Sequence, residues 1–162
     1  MNQRAFIGLG SNLGDPAETV RRALADLAQL GSARGSSLYR TEPLGPPGQP
    51  WYVNAVAELW TATGPVALHA HLRELERRAG RPAARHRWSP RVLDLDLLLY
   101  GDRMLVTDDL EVPHPGLASR RFVLEPLAEL APDVLDPRSG RTAEDLLRTL
   151  DDPLRVEKLC TP

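Results

Sequence analysis

Residues 91–100, Arg-Val-Leu-Asp-Leu-Asp-Leu-Leu-Leu-Tyr, constrain the fold of this chain more than any other segment. The alternation of Leu and Asp predicts a β-strand, because residues two apart in a strand project from the same face. Asp94 and Asp96 therefore share one face, and the odd-numbered leucines from Leu93 to Leu99 are expected to face a core on the other. An ordinary half-buried strand with a solvated polar face is the alternative interpretation of this alternation.

Two carboxylates about 6.6–6.8 Å apart on one strand suit a pair of hard divalent cations, which prefer oxygen ligands and bind phosphates at their remaining positions. The preceding segment, 80–91, contains four arginines, one Trp and two prolines, and is too interrupted to form a regular element. Arginine presents a planar fork of donors that matches phosphate oxygens, and an aromatic ring can stack on a base. Together the two segments predict a polyphosphate ligand, with a solvated basic loop as the alternative for 80–91.

Composition limits the classes of function. A chain of 162 residues with 42% apolar and 26% charged residues suits one domain, which we place at 1–162. The net charge of −2 argues against general nucleic-acid binding and favours a small anionic ligand. Cys160 is the only cysteine, the first ten residues do not resemble a signal peptide, and no apolar run approaches the roughly 20 residues of a membrane helix. We therefore expect a cytoplasmic monomer without nucleic-acid or membrane partners.

Hydrophobic spacing and turn residues predict strands and helices in the order βαββαβ, followed by a C-terminal extension. The predicted elements are a strand at 5–9, a helix begun by Asp15 and ended by Gly31, strands at 36–40 and 52–59, a helix from 65 to 80, the aspartate strand, a hairpin at 100–106, a core segment at 122–130, a helix at 142–150 and a strand at 154–159. This order predicts an α+β fold, a ferredoxin-like α/β sandwich in which helices pack over one face of a mainly antiparallel sheet.

Two further segments carry polar residues suited to a site. Residues 41–50 contain four prolines and two glycines, so they form a long irregular loop. In the strand that follows, Tyr52 and Asn54 share a face, which places a stacking ring beside an amide that can form two hydrogen bonds. His114 stands between two prolines and is predicted to lie on an extended loop. A histidine in such a place is more often a core or surface residue than a catalyst.

Five motifs occur together in this chain, and they are listed here in order: Gly-Ser-Asn-Leu-Gly (10–14), Tyr-Arg-Thr-Glu-Pro-Leu-Gly (39–45), Tyr-Val-Asn-Ala (52–55), Arg-Trp-Ser-Pro-Arg-Val-Leu-Asp-Leu-Asp-Leu-Leu (87–98) and Val-Pro-His-Pro (112–115). In their order and spacing they closely resemble the 6-hydroxymethyl-7,8-dihydropterin pyrophosphokinase family of the folate pathway. The resemblance spans nearly the whole chain. It implies an enzyme that transfers pyrophosphate from ATP to the hydroxymethyl group of the pterin and releases AMP.

The resemblance also implies roles for individual residues. Asp94 and Asp96 would bind two Mg²⁺ ions, with ATP as co-substrate. The implied pterin pocket consists of Thr41, Pro43, Leu44, Tyr52, Asn54 and Phe122. The implied ATP side consists of Glu76, Arg81, Trp88, Arg91, Leu97, His114 and Arg120. Arg81 and Arg91 would be catalytic, neutralising charge at the β-phosphorus and on the departing AMP, and His114 would bind phosphate rather than act as a base.

The chain departs from the family pattern at several positions. Ala83 and Ala84 stand where some relatives are basic, and we expect Arg85 to reach the ATP phosphates in their place. Glu42 stands where some members have Pro, and Ser89 and Pro115 are also changed. Two other classes of protein stay open on the residues alone: a metal-dependent nucleotide-sugar transferase with an Asp-x-Asp motif, and a non-catalytic ferredoxin-like module that senses nucleotides.

Overall fold

The computed structural model describes residues 1–43, 45–80 and 92–160. Its strands and helices are, in chain order, β1 (Gln3–Ser11), α1 (Pro16–Leu27), β2 (Ser32–Gly35), β3 (Leu38–Thr41), β4 (Tyr52–Thr61), α2 (Pro65–Arg78), β5 (Asp94–Tyr100), β6 (Leu105–Val106), β7 (Glu111–Val112), α3 (Arg121–Leu130), β8 (Leu135–Asp136), β9 (Arg141–Thr142), α4 (Ala143–Arg148) and β10 (Val156–Cys160). Within these ranges, none of the helices combines the length and the apolar character needed to cross a membrane.

The main sheet has the strand order β10-β3-β4-β1-β5, and β2 pairs with β4 as well. Every pairing in it is antiparallel. The predicted class, an α+β sandwich with a mainly antiparallel sheet, is therefore confirmed. The predicted hairpin at 100–106 is wrong: β5 ends at Tyr100, a turn at Gly101 with φ +55° follows, and the hairpin is formed by β6 and β7. The short strand β2 was not predicted.

Helices cover both faces of the sheet. On one face, α1 and α2 bury Val20, Leu27, Leu68 and Leu72 against apolar residues of β1, β4 and β5. On the other face, α3 and α4 pack around Val56 of β4 and residues of β1 and β5. The expectation that helices lie over one face holds only for α1 and α2. The sequence at 122–130 marks a core segment, but its periodicity alone does not say which face of the sheet it covers.

A β-bulge in β5 changes the predicted alternation of its leucines. In the pairing with β1, Ile7 is opposite Leu97 but Phe6 is opposite Leu99, so Leu98 is an additional residue. Leu93, Leu95 and Leu97 face the core under α1 and α2, as expected. Leu98 and Leu99 both belong to the other core. The expectation that Leu99 shares the face of Leu97 is therefore wrong, because the bulge reverses the alternation beyond it.

The start of α1 follows the predicted capping. The Asp15 carboxylate accepts a hydrogen bond from the Glu18 N–H (3.1 Å), and Pro16 occupies the first helical position. After the helix, Gly31 passes against β4 so closely that a Cβ there would lie 2.1 Å from the Trp60 carbonyl oxygen. Only glycine fits at this position. The turn therefore brings β2 directly alongside β4.

Glu58 ties three parts of the fold together. Its side chain on β4 is 6% exposed and accepts hydrogen bonds from Arg4 Nε and Arg34 Nη2, both at 2.6 Å. Arg34 Nη2 also donates to the carbonyl of Leu130 at the end of α3 (3.0 Å). Burial raises the pKa of Glu58, but the hydrogen bonds from the two arginines outweigh it, and the pKa lies below its ordinary value.

We predict that Glu58→Gln lowers the free energy of unfolding by about 1–3 kcal/mol near neutral pH, because the hydrogen bonds from two arginines lose their charged, buried acceptor. A lowered pKa means that the charged carboxylate stabilises the fold above the unfolded-state pKa of roughly 4.3. That contribution is lost as the pH falls through the lower pKa of the folded state. Urea unfolding of both proteins at several pH values should show the difference shrinking in acid. A difference that stays constant as the pH falls would contradict this assignment.

Candidate active site

The edge strand β5 is held by side chains of α2. Its backbone pairs with β1 on one side only, so the outward N–H and C=O groups need other partners. The Leu95 N–H donates to Glu76 Oε1 (2.8 Å), and the Leu95 carbonyl accepts from Arg73 Nη2. Arg73 Nη1 in turn lies 2.9 Å from Glu76 Oε2. Both backbone groups of Leu95 are thus bound by one ion pair on α2, which fixes the residue between the two aspartates.

Asp94 and Asp96 project from the same face of β5, as the alternation predicts, and they pair with Gly10 and Gly8 of β1. The Asp96 side chain is 35% exposed, but this exposed part lines a cleft rather than the open surface. Burial raises the pKa of Asp96, and the neighbouring Asp94 carboxylate raises it further; His114, Arg73 and Arg120 oppose the shift. Two carboxylates held together in this way favour the arrival of a cation.

His114 is brought to Asp96 by the same edge strand. Its backbone N–H donates to the outward carbonyl of Leu98 (2.9 Å). The Gly116 N–H donates to His114 Nδ1 (3.0 Å), which makes Nδ1 an acceptor and leaves the proton of the neutral ring on Nε2. Nε2 lies 3.8 Å from Asp96 Oδ2. Burial lowers the pKa of His114, Asp96 opposes the shift and Arg120 adds to it, so the net pKa is below its ordinary value. His114 is therefore a neutral donor that lies on a loop, as predicted.

Arg73 is a residue of this site that the sequence analysis did not identify. Its Nη2 lies 4.0 Å from Asp96 Oδ1, while its other contacts hold Leu95 and Glu76. The sequence did contain one indication of this role: Arg73 lies three residues before Glu76 on the predicted helix, a spacing at which an ion pair can form. Glu76 itself is 1% exposed. The implied contact of Glu76 with ATP stays a prediction. In the structure its carboxylate binds the Leu95 N–H and thereby supports β5.

The donor set around Asp94 and Asp96 fits a hard divalent cation. In the described parts of the chain, no group of three or more His, Cys, Asp or Glu side chains has an arrangement suited to a metal ion. A protein cage of the kind that binds structural zinc is therefore absent from those parts. Mg²⁺ is commonly bound by one or two carboxylates and completes its shell with water and substrate phosphates. Two carboxylates on one face of β5, of which Asp96 lines a cleft, match that chemistry.

Asn54 lies on β4, which pairs with β1 on the side opposite to β5. Its Oδ1 accepts a hydrogen bond from Thr41 Oγ1 (2.6 Å), and its Nδ2 donates to the Leu9 carbonyl (3.2 Å). A carbonyl can only accept, so the contact with Leu9 fixes which end of the amide is nitrogen. Each end of the amide keeps one further hydrogen-bonding position, an acceptor on Oδ1 and an N–H on Nδ2. Asn54 thus offers a donor and an acceptor side by side in a set orientation.

Gly10 stands between Asn54 and Asp94. It is the register partner of Asn54 on β4 and of Asp94 on β5, so the three residues form one row across the sheet. Two strand spacings separate the outer residues by about 9–10 Å. A Cβ at Gly10 would lie 2.8 Å from Asn54 Nδ2. The glycine therefore keeps the space between the amide and the carboxylate open.

Thr41, Pro43, Tyr52 and Phe122, the other residues of the implied pterin pocket that the structure describes, lie near this row. Tyr52 begins β4 and is half-buried, and it is paired with the buried Thr41 of β3. Pro43 is half-buried just beyond β3. Phe122 lies in the first turn of α3, on the Asn54 side of the sheet, with the Arg120 guanidinium 5.8 Å from its ring centroid. The structure thus brings Thr41, Tyr52 and Asn54 together on adjacent strands and places Phe122 on the helix that covers them.

A cleft of about 330 Å³ opens beside Asp96. It lies between α2, β5 and the β6–β7 hairpin, and its lining includes Arg73, Asp96, Leu97 and His114. Leu97 is 2% exposed and belongs mainly to the core, so it contributes only part of a wall. The cleft brings Asp96, an implied metal ligand, together with Leu97 and His114 of the implied ATP side, and Arg120 acts electrostatically on Asp96 and His114. The remaining implied residues, Leu44, Arg81, Arg85, Trp88 and Arg91, lie outside the described residues.

The sequence matches a known protein family over most of its length. Residues 6–132 match the model of the family described as 7,8-dihydro-6-hydroxymethylpterin-pyrophosphokinase. A Pseudomonas aeruginosa protein named 2-amino-4-hydroxy-6-hydroxymethyldihydropteridine pyrophosphokinase is 45% identical over 150 residues, which cover 91% of this chain and 91% of the relative. The protein of that name from Synechocystis is 43% identical over 150 residues, covering 91% and 76% respectively.

Solved structures show the same fold at much lower identity. A crystal structure of wild-type Plasmodium falciparum HPPK-DHPS with pteroate matches with a TM-score of 0.73 at 12% identity and covers 91% of this chain. This chain spans 42% of that longer one. At this identity the match supports the fold and leaves residue roles to the sequence and the geometry described above.

We predict that Gly10→Ala lowers the free energy of unfolding by about 1–3 kcal/mol, because the added methyl group overpacks against the Asn54 amide. Gly8→Ala is the matched control. It lies two residues away on the same strand and face, and its Cβ would meet Leu98 at an ordinary 3.5 Å. Both changes reduce the freedom of the unfolded chain equally, so urea unfolding of the pair isolates the clash. Equal stabilities for the two variants would show that the Asn54 side chain moves aside freely.

Proposed function

The chain belongs to the 7,8-dihydro-6-hydroxymethylpterin-pyrophosphokinase family, and we propose that Asp94 and Asp96 are the residues that bind magnesium for its reaction. The enzyme transfers pyrophosphate from ATP to the hydroxymethyl group of 6-hydroxymethyl-7,8-dihydropterin in folate biosynthesis. The observation that supports this assignment of residues is the row that Asn54, Gly10 and Asp94 form across the sheet. In this row, an amide that can bind a heterocycle and a carboxylate that can bind a cation lie on opposite sides of a glycine, which leaves the space between them open.

Asn54 binds the heterocycle in this proposal. The amide-like edge of a pterin presents an acceptor and a donor, and the oriented Asn54 side chain offers the complementary pair. Thr41 and Leu9 hold the amide in place, so little rotational freedom is lost when the substrate binds. Tyr52 and Phe122 supply aromatic surface for the rings. The hydroxymethyl group then extends across Gly10 towards Asp94.

Asp94 and Asp96 would hold Mg²⁺, and through it the polyphosphate end of ATP. Mg²⁺ supplies charge neutralisation of the triphosphate and acidifies the hydroxymethyl oxygen when it is bound. In the reaction, the hydroxymethyl oxygen forms a bond to the β-phosphorus of ATP and loses its proton to solvent. The bond between the β-phosphorus and the oxygen that bridges it to the α-phosphorus breaks, and AMP leaves with the electrons of that bond. His114 donates a hydrogen bond from its Nε2–H to a phosphate oxygen and keeps its proton, which suits a neutral ring. Arg81 and Arg91 are proposed to neutralise charge on the reacting phosphates.

Little general base strength is needed for this chemistry. Phosphoryl transfer is accelerated chiefly by positioning and by electrostatic stabilisation of the transition state. This chain contributes positioning through the α2 ion pair that holds Leu95, and through the hydrogen bonds that fix Asn54 and His114. The binding of two metal ions is part of the proposal, as are Glu76, Arg85, Trp88, Leu97 and Arg120 on the ATP side and Pro43 and Leu44 at the pterin.

Three broader expectations also stay proposals: a single domain over 1–162, a monomer, and a cytoplasmic location without nucleic-acid partners. The size and charge of the chain support them. The two other classes of protein left open by the residues, a nucleotide-sugar transferase and a non-catalytic sensor, are set aside because the family is that of a pyrophosphokinase.

We predict that Asp94→Asn and Asp96→Asn each lower Mg²⁺-dependent AMP release by about 10²–10³-fold, since an amide of the same size carries no charge to hold the cation. Asp102→Asn is the control, because Asp102 is exposed in the turn that directly follows β5. Circular dichroism should show all three variants folded. Activity within about twofold of wild type in either β5 variant would remove that aspartate from the metal site.

A further inference from the structure

Three residues outside the assigned pocket form a cluster at its edge: Glu42, Trp51 and Arg155, called here the loop clamp. Glu42 directly follows Thr41 at the end of β3, and Trp51 directly precedes Tyr52 at the start of β4. They are therefore the two ends of the proline-rich loop. Thr41 and Tyr52 are paired across the two strands. Each clamp residue of the loop is thus covalently joined to a residue of the pterin pocket.

Arg155 contacts both ends of the loop from the C-terminal segment. The Glu42 N–H donates to the Arg155 carbonyl (3.1 Å), which extends the β3–β10 pairing by one residue. The Arg155 N–H and Nε donate to the two carboxylate oxygens of Glu42, each at 3.0 Å. The guanidinium carbon of Arg155 lies 5.0 Å from the Trp51 ring centroid, and that of Arg40 lies 4.3 Å from the same ring. One side chain therefore joins residues on both sides of a loop that spans 42–51.

We propose that Arg155 is a positioning residue for the pterin substrate: by binding Glu42 and Trp51 together, it holds Thr41 and Tyr52 in the geometry that the heterocycle needs. This inference rests on the proposed function of the pocket. If a pocket is correctly arranged for only part of the time, the apparent affinity falls by that fraction. Loss of the clamp should therefore weaken pterin binding although no residue that contacts the pterin in the proposal is changed.

The arrangement differs from an ordinary surface ion pair. Isolated exposed pairs contribute little, because the gain is offset by lost side-chain freedom and by solvent screening. Here the Arg155 side chain is 67% exposed, but its partner Glu42 is only 28% exposed and also bonds through its backbone. Trp51 adds a stacking contact.

The test compares steady-state kinetics of Arg155→Ala, Glu42→Ala and the double variant with those of the wild-type enzyme. We expect Arg155→Ala to raise the KM for the pterin about three- to tenfold, with the KM for ATP and kcat within about twofold. Glu42→Ala should behave similarly, and the double variant should be no worse than the single ones, because the residues act as one unit. Arg22→Ala is the control: Arg22 is exposed and pairs only with Glu18 on its own helix in the contacts described.

Salt gives a second measurement, made on the wild type and on Arg155→Ala. The reduced pterin is uncharged, so at saturating ATP salt should change its KM mainly by weakening the ion pair of the clamp. At about 1 M salt the screening length is near 3 Å, which is short enough to weaken that pair. We expect salt to raise the pterin KM of the wild type more than that of Arg155→Ala. Provided that the wild type is active, either of two results overturns the inference. One is an unchanged pterin KM in Arg155→Ala, and the other is an equal rise of the KM for the pterin and the KM for ATP in that variant. A wild type that releases no AMP would instead overturn the proposed function.

Discussion

The unpaired outer edge of β5 is the constraint on which the site depends. An edge strand presents backbone N–H and C=O groups that must find partners. In this chain the partners at Leu95 are Glu76 and Arg73, and the partner of the Leu98 carbonyl is the His114 N–H. The same bonds that satisfy the edge therefore place Asp96, Arg73 and His114 around one cleft, with Asp94 on the same face of the strand as Asp96. Loss of the α2 ion pair would free the strand and disperse the charges together.

The site also depends on a position that has no side chain. Gly10 pairs with Asn54 on one side and Asp94 on the other, and any larger residue would meet the Asn54 amide. In the proposed function, the strand spacing of the sheet sets the separation between the heterocycle at Asn54 and the metal-bound phosphates at Asp94. A rigid separation of this kind suits transfer between two substrates, because in the proposal each substrate is bound by its own set of residues and the two meet over the glycine.

The sequence predicted the features that depend on local pattern, but not those that depend on distant partners. Alternation placed Asp94 and Asp96 on one face, and turn chemistry predicted the Asp15 cap. The bulge at Leu98 was missed because its cause is the pairing with β1, which the segment itself does not encode. Arg73 was missed because an arginine on a helix looks solvated until β5 is placed beside it. The roles implied for the arginines of 80–91 stay predictions, since those at 81–91 lie outside the described residues.

The most direct measurement of the central claim is the identity of the nucleotide product. The wild-type enzyme would be incubated with ATP, Mg²⁺ and the reduced pterin alcohol, and the phosphorus-containing products followed by nuclear magnetic resonance. If the row from Asn54 to Asp94 aligns the hydroxymethyl oxygen with the β-phosphorus, AMP and the pterin diphosphate should appear in equal amounts. Formation of ADP would mean attack at the γ-phosphorus and would contradict the account.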